Sequence, residues 1–99
     1  MSQLLVVKER LYRALQLATH DRDERPEMVP APIGNTTEPA WAAYEREVMH
    51  KAVNEERAKL SKGPLDLKDV MRVEQLAVGH ADYPDKFPLY CAELVLTVD

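Results

Sequence analysis

Apolar residues recur at helical spacing along most of this chain. Leu4, Val7, Leu11, Leu15 and Ala18 lie three or four apart, which puts them on one face of a helix over Gln3–Thr19, with Ser2 as its N-cap. Leu5, Val6, Tyr12, Ala14 and Leu17 widen that face, so it should meet two neighbours. A second helix is expected from Pro39 to Lys62. Thr37 or Glu38 caps it, Pro39 fills the first turn where no donor is lost, and Gly63-Pro64 ends it. Trp41, Tyr44, Val48, Ala52 and Leu60 mark its inner side, with Met49 and Val53 beside them. Glu47–Lys51 and Glu55–Lys59 are favourable i,i+4 pairs. Its last turns, Asn54 to Lys59, offer only Ala58 for burial and read as a projecting end or a partner surface.

A third helix opens at Asp66, with Asp69 three residues on and Leu65 and Val70 placed as a hydrophobic staple. Leu67, Val70, Met71, Val73, Leu76 and Ala77 form its apolar side, and Gly79 ends it. His80 to Pro84 then reads as a tight turn. Asp85 caps a fourth helix, which sets Pro88 at its third position, and Phe87, Tyr90, Cys91, Leu94, Val95 and Val98 follow at helical spacing. Leu89 to Val98 also alternates like a strand, but a single strand would have no partner, so helix is expected. The connection from Asp21 to Glu38 starts as a charge run and continues as Met28-Val29-Pro30-Ala31-Pro32-Ile33, an apolar, proline-rich stretch. Extended or polyproline-like backbone lying across the helices, burying Met28, Val29 or Ile33, is the expectation there. The fold class that results is all-α: one domain, residues 1–99, forming a small bundle of three to four helices with a long Pro-rich loop between the first two.

Composition agrees with a folded helical domain: 45% apolar and 30% charged residues, with 3 glycines and 6% aromatics. The net charge of −4 argues against a nucleic-acid partner, because such a surface does not neutralise a phosphate backbone. One cysteine, Cys91, makes neither an internal disulfide nor a zinc site, which fits a reducing cytoplasm. Leu4-Leu5-Val6-Val7 is interrupted at once by Lys8-Glu9-Arg10 and lacks a basic segment before it, so neither a signal peptide nor a membrane span is expected.

Candidate chemistry is sparse. His20, His50 and His80 each have acids nearby, yet no two share a local ligand motif, and no metal or cofactor is expected. Cys91 lies among Leu89, Tyr90, Ala92 and Leu94, a setting for a small hydrophobe rather than a nucleophile. Gly34, Gly63 and Gly79 are isolated and build no phosphate loop. The best contact candidate is the corner between the third and fourth helices, with His80, Asp82, Tyr83 and Lys86, and a second aromatic pair is Trp41 with Tyr44. Helix capping by Asp82 and core packing of the aromatics are the structural alternatives.

Three segments, Trp41-x-x-Tyr44-Glu45-Arg46, Val53 to Arg57, and Gly79 to Leu94, together resemble small uncharacterised helical proteins of tailed phages and prophages. The resemblance covers a little over half the chain and implies context rather than chemistry. The expected function is a non-enzymatic accessory protein that binds another protein, possible partners including a second copy of itself. A small-ligand or nucleotide binder using His80, Tyr83, Lys86 and Trp41 is the alternative.

Overall fold

The computed structural model describes residues 2–18 and 25–99. It is mostly helical, in the order α1 (Gln3–Ala18), β1 (Met28–Pro30), β2 (Thr37–Pro39), α2 (Ala40–Lys59), α3 (Leu67–Val78) and α4 (Tyr83–Thr97). Ser2 caps α1, its Oγ accepting the Leu5 N–H at 3.2 Å. Val7, Leu11 and Ala18 are buried, and Leu4 and Leu15 pack beside them, while Leu5 and Leu17 face outward. The helix packs against both α2 and α4, as its broad apolar face requires.

The core joins Val7 and Leu11 of α1, Met49 and Val53 of α2, Val70 and Ala77 of α3, and Phe87, Cys91, Ala92 and Val95 of α4. Full burial of each larger side chain here contributes about 1.5–3 kcal/mol. Leu89 to Val98 belongs to α4 and its C-cap and is not a strand. The helix starts earlier than the sequence suggests. Asp82, not Asp85, is its N-cap, and the Asp82 carbonyl accepts the Asp85 and Lys86 N–H groups at 2.9 Å. Pro88 therefore sits inside the helix, where its ring is fully buried in the core.

The Pro-rich connection is not a loop across the helices. Met28–Pro30 and Thr37–Pro39 pair antiparallel, with Val29 opposite Glu38. Ala31 N–H bonds Thr36 O at 2.9 Å and Ala40 N–H bonds Glu27 O at 2.8 Å, so the donors flanking the prolines close the ladder. Gly34 takes φ 75° in the turn. Met28 and Ile33 stay exposed and Val29 is only half-buried, because the hairpin stands beside the helices instead of lying over them. The part of the expected first helix at Thr19, and the charge run from Asp21 to Glu24, lie outside the described residues.

Three corrections concern α2. It ends at Lys59 rather than Lys62, with Ser61 in the left-handed position at φ 57°. Ser61 N–H bonds Ala58 O and Lys62 N–H bonds Arg57 O, the paired closure of a Schellman end made without glycine. Its buried face is also turned about one residue from the apolar stripe. Glu45, Arg46, Met49, Val53, Glu56 and Arg57 are buried, whereas Tyr44 and Leu60 are exposed. Lys59 pairs with Glu56 rather than with Glu55.

Candidate functional site

Arg46 holds the hairpin onto the helices. Its Nη1 and Nη2 donate to Glu38 Oε1 and Oε2 at 2.8 and 2.7 Å, and its Nε donates to Glu74 Oε1 at 2.8 Å. One guanidinium therefore ties β2, α2 and α3 together, in the bidentate geometry that suits arginine and not lysine. The Arg46 hydrogen bonds and charge hold the Glu38 carboxyl below its ordinary range, although burial acts the other way.

Next to this tie, the hairpin turn and α3 enclose an open groove of roughly 530 Å3. Pro32 and Ile33 form one wall and Leu67 and Met71 the apolar surface of α3, with Asp66, Lys68, Arg72 and Gln75 completing the lining. Ile33 is 54% and Leu67 37% exposed, so the groove leaves two large aliphatic side chains in water. A smaller recess of about 190 Å3 adjoins it, lined among others by Glu38, Arg46 and Glu74. The hairpin positions Ile33, and the Arg46 tie positions the hairpin. The sequence reading missed this groove. Its signal was the apolar run Met28 to Ile33, read as something to bury.

The six residues singled out from sequence stand elsewhere, and none lines the groove. His80 is exposed, with Nε2 3.1 Å from Tyr90 Oη and its ring edge-on to Tyr90 at 6.0 Å. Tyr83 is half-buried in the first turn of α4 and stacks on Phe87 at 6.3 Å. Asp82 serves as the N-cap described above, and Lys86 is half-buried. Asp85 beside it pairs with Lys8 at 3.1 Å, fastening α4 to α1. Trp41 is half-buried, and Tyr44 lies in a shallow trough along the outer side of α2 with Glu47, His50 and Lys51.

Other polar groups are used structurally. His50 Nε2 donates to Leu65 O at 2.6 Å, and Asn54 Oδ1 accepts the Leu65 N–H at 2.8 Å, so both fix the α2–α3 connection. Arg57 donates from Nε to Gly63 O at 2.7 Å and from Nη1 to Leu94 O and Val98 O at 3.1 and 2.6 Å. Lys62 Nζ donates to Leu96 O at 2.8 Å. These two cations satisfy carbonyls at the C-terminal end of α4, where the helix dipole favours positive charge. Asn54, Glu56 and Arg57 at the end of α2 are thus engaged within the chain, while Glu55 and Ala58 stay exposed along its outer side. Glu56 bonds Arg10 and Lys59; burial would raise its pKa, but those bonds outweigh it and leave it lowered. Cys91 is buried, and that burial, with a smaller contribution from Glu74, pushes its thiol far up.

Among the described residues, no three His, Cys, Asp or Glu side chains gather to hold a metal ion, and no helix is long and apolar enough to cross a membrane. No known protein family, no curated protein and no solved structure was found to match this chain.

Proposed function

We propose that this chain is a non-enzymatic accessory protein that works by binding another protein, with the groove between the hairpin turn and α3 as its contact surface. The observation that carries this reading is the pair Ile33 and Leu67, exposed on facing walls of one cleft. Exposed apolar surface that is contiguous, and not scattered, marks interaction sites on small proteins. The groove is concave, so it can seat a few anchor side chains of a partner, which is how most interface energy is concentrated. The resemblance to tailed-phage and prophage proteins gives the context: a cytoplasmic factor that modulates a host or defence protein or serves in assembly. His80, Asp82, Tyr83 and Lys86 take a supporting place in that reading, as a polar corner away from the groove.

Affinity capture from the native cell tests it, with wild type beside Ile33→Asp and with His80→Ala as a corner variant. Loss of one specific partner on Ile33→Asp, at an unchanged melting temperature, is the expected result. Equal recovery by wild type and Ile33→Asp sinks the groove as contact surface, and loss on His80→Ala alone moves the surface to the corner. Light scattering across concentration asks whether the partner is a second copy. The groove volume also lies in the range of small-ligand sites, about 300–1,000 Å3. A melting-temperature shift with nucleotides would favour that second reading.

A further inference from the structure

Resting on the groove as a protein-contact site, we infer that its occupant is a short peptide segment carrying a large apolar anchor beside carboxylates. The lining is aliphatic on both walls, from Pro32 and Ile33 on one side and Leu67 and Met71 on the other. Its cations are Lys68 and Arg72, one turn apart on α3. Lys68 forms an ion pair with none of the described residues. Arg72 is highly exposed and reaches Asp69 only at 3.9 Å, beyond hydrogen-bond distance.

The neighbouring acids answer these cations only in part. Glu38 and Glu74 are both taken by Arg46 in the adjoining recess. Asp66 is the remaining acid on the lining, at the N-cap of α3, close in sequence to Lys68 and more than a turn before Arg72. The groove is therefore apolar inside, and its lining carries two cations against one acid, on a chain whose net charge is −4. Such a surface repels acidic segments over most of its area and accepts them at this place, which confers choice of partner more than affinity. Two cations are too few to neutralise a nucleic-acid backbone.

The test uses a displayed library of random 12-residue peptides, selected on the full chain at low salt and counter-selected on Ile33→Asp. The enriched peptides should carry Asp or Glu within a few residues of Leu, Met, Phe or Trp. A synthetic copy of the best binder should bind a Lys68→Glu, Arg72→Glu variant about tenfold more weakly, the sum of two exposed ion pairs. Changing its acids to amides should abolish that difference, and salt near about 1 M should shrink it. Peptides with neutral or basic flanks, or acidic peptides that bind the charge-reversed variant equally well, overturn the inference and leave the groove reading standing. Peptides that bind Ile33→Asp as well as wild type, or no enrichment at all, defeat both. A dimer in light scattering that Ile33→Asp dissociates would make a second copy the occupant and overturn the inference as well.

Discussion

Replacing Arg57 by methionine should be among the most damaging single changes in this protein, although sequence alone places the residue on a solvated helix end. Arg57 is 1% exposed, and its guanidinium donates to carbonyl oxygens: Gly63 at 2.7 Å, Leu94 at 3.1 Å and Val98 at 2.6 Å. Hydrogen bonds from a charged donor are worth about 1.5–3 kcal/mol each, so three amount to about 5–9 kcal/mol before any correction. Methionine also relieves the burial of a charge, which returns several kcal/mol. Lys62 and water recover part of the freed carbonyls, since Lys62 already reaches Leu96 O and Val98 O. A net loss of about 2–4 kcal/mol remains, against a total of about 5–15 kcal/mol for a domain of this size. Urea unfolding followed by circular dichroism measures it directly, and the melting temperature should fall by about 10–25 °C. The loss should persist at high salt, because the group is shielded from ions. Arg13→Met on the open side of α1 is the control, with a change below about 0.5 kcal/mol. If Arg57→Met is no worse than that control, the account of how α4 is capped is wrong.

Other outcomes follow from the same contacts. Glu38 and Glu56 have pKa values lowered from the ordinary 4.5, so their contribution is complete above that pH and disappears as pH falls through the lowered values. Acid unfolding should therefore set in only below about pH 4.5, and Glu38→Gln should flatten the acid limb of a stability-against-pH curve. Ser61→Gly should stabilise by about 0.5–1 kcal/mol in the same urea assay, since it relieves a left-handed residue with a side chain; destabilisation would contradict the helix end described. Arg46→Lys should speed hydrogen exchange at the Ala31 and Ala40 amides while the core amides of α4 stay protected, because the bidentate hold on Glu38 is lost. Cys91 should react with a thiol reagent only as fast as the chain unfolds, and rapid labelling of the native protein would contradict its burial.

Local signals carried much of the fold. Spacings of three and four located all four helices and the apolar faces of α1 and α4, and residue type located the Ser2 cap. The sequence also ranked helix over strand for Leu89 to Val98, because strand pairing needs a partner that the chain did not offer there. Besides the hairpin and the start of α4, what failed was the face of α2, where apolar and buried are different properties. Tyr44 and Leu60 are apolar and exposed, while Arg46, Glu56 and Arg57 are charged and buried.

Spacing along the chain decides which residues share a helix face, and it did so here without any knowledge of the fold. It cannot decide whether a charge on that face will be welcome, because the answer depends on acceptors far away in sequence. Arg57 is buried because the last turn of α4, 37 and more residues downstream, brings unsatisfied carbonyls to it. Arg46 is buried because the hairpin and α3 deliver two carboxylates from opposite directions. The groove has the same origin: Ile33 and Leu67 stand 34 positions apart in the chain, and they face one cleft only once the Arg46 tie has set the hairpin beside α3. The helices, though not all of their ends, were settled by neighbours in sequence. The buried charges and the candidate site were settled by tertiary packing, since desolvating a charge is tolerable only where its partners already wait.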